Sequence, residues 1–362
     1  MGVRESTTRS QLVGRYQDAW PFVSVLLACR NEQGYIARCL DSILANDYPA
    51  DHLEILVMDG MSTDSTREIV REFARLHSNL RLLDNPIGSF PAAMNIGIRN
   101  SCASLVVIAG AHAVYQSDHI SSCVRYHQES GAENVGGALH IEPGADSTLA
   151  RAIAAGLASR FGSGNAHVKT GVQQPIWADT AAFGCYRREL FDKIGMFDER
   201  LLGSSDFDLN RRLTTAGGRI LLVPGIVVRY FADATWPAFW RHNFADGFCV
   251  TYILKFGSKA WSFRHWIPPL FVASLFGALA LSFVWGRFLW MFLAILSVYV
   301  VVNLGFSARI SIRERMSDFM LLLPGIFAVR HSAFGLGALY GLLLLPLPGF
   351  RWRGRRTARG QK

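Results

Sequence analysis

The sequence predicts an α/β domain on a largely parallel sheet, followed by a helical region that crosses a membrane. Three observations predict it. Between residues 22 and 109, apolar runs of strand length alternate with segments of helical apolar spacing, the pattern of successive βαβ units. Two later runs, residues 266–285 and 288–306, are each long enough to span a hydrocarbon core of ~30 Å. Charge divides along the same line. Residues 1–254 carry 23 Lys and Arg against 26 Asp and Glu, whereas residues 255–362 carry 14 against 2. The net charge of +9 therefore lies beside the apolar runs, which favours a membrane surface over a nucleic-acid groove.

Taken in order, residues 22–29 (FVSVLLAC) form the first strand, and Arg30-Asn31-Glu32 follows as a loop. Ile36, Leu40, Ile43 and Leu44 then recur at helical spacing over residues 35–46. The second strand, residues 53–58, ends at Asp59-Gly60; Ser62-Thr63-Asp64 can cap the crossover helix 66–76. A strand at 80–83, a helix at 91–99 and a strand at 105–109 continue the pattern. A carboxylate at the end of a parallel strand lies where open α/β sheets bind ligands. Asp59 there can accept a hydrogen bond from a uracil-type imide or a ribose hydroxyl, or it simply initiates the Asp-Gly turn.

Ala111-His112-Ala113 follows the fourth strand, and residues 135–141 form another. The Gly-rich residues 156–171 read as a mobile loop of the kind that forms lids. Residues 204–213 (SSDFDLNRRL) read as a capped helix with Asp206 in its first turn, followed by short strands at 220–223 and 226–230. Residues 237–256 interleave Trp, Phe and Tyr with Arg241, His242 and Lys255, which suits the water–lipid interface. Gly286-Arg287 makes a hairpin between the two spans, and Arg309, Arg313 and Arg315 form a basic loop that the positive-inside rule puts in the cytoplasm. Residues 319–348, interrupted by Pro324 and Arg330-His331, make either one long broken helix or a re-entrant piece plus a span. The expected division is a polar tail (1–20), a catalytic domain (21–235), an interfacial helix (236–262), a transmembrane region (263–350) and a basic cytoplasmic tail (351–362).

Several classes are disfavoured. No G-x-G-x-x-G follows the first strand, which argues against a dinucleotide-binding oxidoreductase. The six cysteines are scattered without a C-x-x-C pair, which argues against zinc or a disulfide framework. The first 20 residues are polar, with no apolar run of a signal peptide.

The order VSVLLACRNE, VMDGMSTDST, PAAMNIGI, AH, DT…FG…RRELFDKIGMFDE and SSDFDLNRRL resembles the family-2 glycosyltransferases. The likeness is greatest to the succinoglycan-type polysaccharide enzymes with hydrophobic C-terminal helices, and it extends over residues 20–350, including HSAFGLGALYGLL. It implies a GT-A, Rossmann-like nucleotide-diphospho-sugar transferase fold and an inverting transfer to a lipid-linked or polysaccharide acceptor. It also implies a multi-pass protein of the inner membrane, its catalytic domain facing the cytoplasm.

Position by position, the resemblance implies that Ala28, Arg30, Glu32 and Ala111 line the nucleotide pocket, Asp59 contacts the base and Asn95 sits near nucleotide or sugar. Asp179, Thr180, Trp236 and Arg241 would approach the acceptor or donor sugar, and Asp206 would be the general base. The family's Mg²⁺ or Mn²⁺ motif aligns with Gly110-Ala111-His112, so Gly110 replaces the usual Asp and His112 offers only a nitrogen; Ser205 replaces a Glu. The metal site is then weak, rebuilt from Asp206 or Asp208, or absent. In the last case Arg211, Arg212 or Arg241 neutralises the diphosphate. The alternative function is a non-catalytic, membrane-bound relative that binds nucleotide sugars or serves as a scaffold.

Overall fold

The computed structural model describes residues 20–164, 166–201, 203–257 and 263–346. The expected N-terminal tail (up to residue 19) and the basic tail 351–362 lie outside them. Strands β1 (Val23–Cys29), β2 (Leu53–Asp59), β3 (Leu80–Asp84) and β4 (Leu105–Gly110) stand parallel in the order β3-β2-β1-β4. Helices α1 (Ile36–Leu44), α2 (Thr66–Leu76) and α3 (Phe90–Asn100) connect them. Side-chain alternation along the strands divides the core in two. Val25 and Leu27 of β1 pack with Leu40 and Ile43 on one face, whereas Leu26 packs with Met58 and Met94 on the other. With both faces covered, these strands read as unbroken apolar runs.

Beyond β4 the sheet reverses twice. β8 (Ala182–Arg187) runs antiparallel to both β4 and β6 (Asn134–Glu142), and β9 (Ile220–Phe231) lies parallel to β6. β5 (Ala113–Tyr115) and β7 (Ile176–Ala178) flank β9, and α4 (His119–Ser130) covers one face. Instead of two short strands at 220–223 and 226–230, the chain forms one. Pro224 and Gly225 fall in a register break between the Gly137–Val223 and Ala138–Val227 pairs, where a missing proline N–H costs no ladder bond. The two reversals restore the direction of β4, so Cys29, Asp59, Gly110, Glu142 and Phe231 all end their strands at one edge of the sheet.

Residues 156–171 are not a free loop. After α5 (Thr148–Leu157) they form α6 (Arg160–Ser163) and α7 (His167–Thr170). The Phe161 ring stacks on Phe306 at 4.9 Å, Arg330 Nε donates to the Gly162 carbonyl at 3.1 Å, and His331 Nε2 lies 2.9 Å from the Phe161 carbonyl. These contacts anchor the segment, so the expected lid is a docking element.

After α8 (Leu190–Ile194), α9 (Ser205–Thr215) and α10 (Trp236–Tyr252) come α11 (Ile267–Ser282), α12 (Arg287–Glu314) and α13 (Phe319–Leu343). The last three, with the turn Phe263–His265 leading into α11, are long and apolar enough to cross a membrane. Trp290, Val301 and Ile312 of α12 are 75%, 70% and 77% exposed, a density of bare apolar surface that lipid covers and water does not. Arg309 and Arg313, expected in a loop, lie inside α12, which ends at Glu314 and is capped by Arg315. Of the stretch 319–348, the described residues form one helix, Phe319–Leu343, running through Pro324. α10 packs along α13 at backbone contact. A Cβ on Gly247 would fall 2.0 Å from the Phe334 carbonyl, and one on Gly337 2.0 Å from the Phe244 carbonyl, so only glycine permits this approach.

Candidate active site

The loops after β1 and β2 are stitched together. The Asn31 side chain accepts from the Thr63 N–H at 2.8 Å, and the Glu32 N–H donates to Thr66 Oγ1 at 2.7 Å. Asp59 is fully buried; its carboxylate accepts from the Ser62 N–H at 3.0 Å and hydroxyl at 2.5 Å and pairs with Arg67 at 2.7 Å. Arg67 reaches Asp84 with its other nitrogen, also at 2.7 Å. Asp59 thus shapes the turn over Gly60–Asp64 from below. Ala28 is half-buried at the end of β1. Arg30 lies in a cradle of two glycines: a Cβ on Gly88, which has φ +70°, would sit 2.5 Å from Arg30 Nη1, and one on Gly60 3.1 Å from its Cβ. Arg30 Nε is buried, and no acceptor among the described residues reaches it.

His112, after β4, points Nε2 at Glu32 Oε2 (2.8 Å) and sets its ring edgewise on Tyr35 at 4.2 Å. Ala111 is buried. Position 110 explains the missing carboxylate. A Cβ on Gly110 would stand 2.7 Å from Phe183 Cε1, so the Phe183 ring occupies the space an aspartate needs. Phe183 holds φ +46° to do so, a conformation that costs a bulky residue of order 1–3 kcal/mol and persists where surroundings enforce it. Among the described residues no three His, Cys, Asp or Glu side chains converge into a metal cage. The residues present do not fit the expected Mg²⁺ or Mn²⁺ site.

Asp206 occupies the first turn of α9, after Ser204 at φ +56°. It keeps a solvent-accessible face although protein surrounds it. That enclosure pushes its carboxyl above the ordinary 3.8; the charge of Asp246 adds to the rise, and backbone N–H groups and Lys169 oppose it. Asp246, on α10, lies 3.6 Å from His242 Nε2 and 3.5 Å from Arg330 Nη1, and His242 Nδ1 lies 2.7 Å from the buried Asp233 carboxylate. Asp179 pairs with Arg264 at 3.1 Å. Lys169 of α7 shares this field; burial, then the positive charges of Arg330 and Arg264, push its ammonium down to about 8 despite Asp246 and Asp206.

Five expected site residues have other occupations. Asn95 is buried and holds residues 197–199, donating to the Phe197 carbonyl (2.9 Å) and Glu199 (2.8 Å) and accepting from the Phe197 N–H (2.9 Å). Thr180 is buried and accepts from Asn210 at 3.0 Å, fixing α9 to the sheet. Trp236 packs against Gly325 of α13. Arg212 bonds Asp208 at 2.9 Å and the carbonyls of Ile194, Gly195 and Met196, so neither it nor Asp208 turns to a diphosphate or metal. Arg211 and Arg241 are exposed. Sequence reasoning missed Phe183, Asp233, Asp246 and Lys169. Only the one-turn spacing of His242 and Asp246 gave a signal in advance.

The profile described as "Glycosyltransferase like family 2" matches residues 21–248. A dolichyl N-acetyl-α-D-glucosaminyl phosphate 3-β-D-2,3-diacetamido-2,3-dideoxy-β-D-glucuronosyltransferase from Methanococcus voltae is 25% identical over 337 residues, 89% of this chain and 97% of that one. The succinoglycan biosynthesis protein ExoA of Rhizobium meliloti is 27% identical over 318 residues, 86% and 92% of the two chains. Among solved structures, a mannosyltransferase from Pyrobaculum calidifontis in complex with GDP-Man and Mn²⁺ superposes with a TM-score of 0.57 at 18% identity, covering 90% of this chain and 88% of that one. That likeness identifies the fold as GT-A.

Proposed function

Because the chain belongs to the glycosyltransferase-like family 2, we propose that it is a membrane-anchored, inverting glycosyltransferase. It moves a sugar from a nucleotide-diphosphate sugar to a lipid-linked or polysaccharide acceptor of the cell surface. The observation that carries the reading is Asp206, an accessible carboxylate in enclosing protein whose proton affinity is raised. Such a group takes the acceptor hydroxyl's proton more readily than an ordinary aspartate near neutral pH. The freed oxygen attacks the anomeric carbon from the face opposite the leaving group, which inverts the configuration, and the nucleoside diphosphate departs with its negative charge.

Ala28, Arg30, Glu32 and Ala111 line the nucleotide corner, with Asp59 supporting it through the turn over Gly60–Asp64. Arg30, with an unsatisfied buried N–H, is the guanidinium placed to meet that charge. Asp179 and Arg241 serve the acceptor side. The three apolar helices set the site beside the bilayer, and Arg309, Arg313 and Arg315 favour a cytoplasmic catalytic domain in the inner membrane.

Transfer from radiolabelled nucleotide sugars by the full chain in nanodiscs tests this. Asp206→Asn should lower transfer roughly 10²–10⁴-fold while nucleoside diphosphate still raises the melting temperature. Unchanged transfer removes Asp206 from the role. The ring of Phe183 in the metal carboxylate's place favours a second reading, a non-catalytic binding subunit. Nucleotide-sugar binding without transfer to any acceptor would support it.

A further inference from the structure

The end of β4 is closed by aromatic rings. The Gly110 N–H donates to the Tyr115 hydroxyl oxygen at 2.8 Å, and the Cys39 thiol donates to the Gly110 carbonyl at 3.5 Å. The Phe183 ring covers the same residue, so near that a Cβ there would stand 2.7 Å from its Cε1, and it meets the Tyr115 ring edgewise at 5.7 Å. Phe183 reaches this place from β8 at φ +46°, a conformation that persists only where the surroundings enforce it.

The carboxylates of this corner are engaged. Glu32 faces His112 Nε2 at 2.8 Å, Asp59 holds Ser62 and Arg67, and Asp208 holds Arg212. Asp206 keeps an accessible face, which the role of base occupies. A divalent ion at a phosphate site is held by one or two carboxylates together with the substrate's phosphates. Here position 110 has no side-chain ligand atom to offer, and His112 Nε2 is turned to Glu32. The chain supplies a cation of its own instead. Gly110 pairs with Ala28 across the β1–β4 ladder, and Arg30 stands two residues further on in the Gly60–Gly88 cradle, its buried Nε without an acceptor among the described residues.

We propose that Phe183 plugs the position of the motif's metal, so that the donor's diphosphate is bound and released without a divalent ion, its charge met by Arg30. The proposal rests on the glycosyltransferase reading and adds to it the residue that sets the metal requirement. The electron pair of the broken anomeric C–O bond leaves on the diphosphate oxygen, and the acceptor's proton goes to Asp206. The guanidinium stays protonated throughout and presents a planar fork to the phosphate oxygens.

The full chain in nanodiscs is titrated calorimetrically with UDP, GDP and dTDP, in EDTA and in Mn²⁺, and transfer from the matching nucleotide sugars is followed in the same buffers. Wild type should bind its diphosphate equally, within about twofold, in both buffers, and EDTA should leave transfer unchanged. Gly110→Asp combined with Phe183→Ala opens the position and returns the carboxylate; this variant should bind about tenfold more tightly in Mn²⁺ than in EDTA. Phe183→Ala alone should stay indifferent to Mn²⁺. Arg30→Gln should weaken binding about tenfold in both buffers, with no rescue by Mn²⁺. Melting temperatures without nucleotide establish that each variant folds.

Wild-type binding that weakens tenfold in EDTA overturns the proposal by revealing a working metal site. A folded double variant that ignores Mn²⁺ also overturns it, because Phe183 is then not what excludes the ion. So does unchanged binding by Arg30→Gln, which moves the neutralising charge to another group. Failure of wild type to bind any of the three diphosphates in either buffer counts instead against the glycosyltransferase reading.

Discussion

The nucleotide corner and the junction with α10 and α13 use polar groups in opposite ways. At the corner, apart from Arg30, whose Nε has no partner among the described residues, Asp59 is closed on Ser62 and Arg67, Glu32 on His112, and Asn31 on Thr63. At the junction, Asp206 keeps an open face and, among the described residues, Lys169 has no carboxylate at ion-pair distance. The contrast separates a preorganised frame from groups held ready for a reaction. A frame is rigid because its hydrogen bonds are internally satisfied. A group that must exchange a proton or meet an anion has to be left incomplete.

The largest test of the contrast is at the frame. Asp59→Ala leaves Arg67 against an empty cavity, and breaking such a buried pair costs about 3–5 kcal/mol. The melting temperature in detergent should fall far more than for Asp206→Asn; equal falls would erase the distinction between frame and reactive group. Next comes Gly110→Asp, which drives a Cβ into Phe183 and should cost about 1–3 kcal/mol by overpacking. Phe183→Ala in the same chain should restore the melting temperature, and a single Gly110→Asp change without effect would refute the steric account of position 110. The smallest effect is at the junction. Asp246→Asn removes a negative charge that helps raise Asp206, so the acid limb of turnover should move to lower pH by a fraction of a unit with little loss of maximal rate.

The same contrast explains what the sequence disclosed. The parallel strands and α1–α3 were legible because covered strands are continuous apolar runs and their helices keep a 3.6-residue period. The place of Asp206 in the first turn of a helix and the glycine at position 110 were legible because each falls in a contiguous motif. The role of Phe183 was not, since the ring reaches Gly110 across the β4–β8 pairing from 73 positions further along the chain. Lys169 lies in a Gly-rich stretch that composition reads as loose; it is ordered by Phe306, Phe327, Arg330 and His331, all more than 130 residues downstream. The internal bonds of Asn95 and Thr180 were not legible, because a polar residue inside a motif reads alike whether it faces a ligand or ties two elements together.

The acid limb of kcat bears most directly on the central claim that Asp206 is the base. A base works only when deprotonated, and the folded chain raises this carboxyl above 3.8. Activity in nanodiscs should therefore fall as pH drops through a value above the ordinary aspartate range, and Asp206→Asn should leave only a residual rate without that limb. A rate that stays flat to pH 4, or an Asp206→Asn variant that retains the wild-type limb and rate, would contradict it.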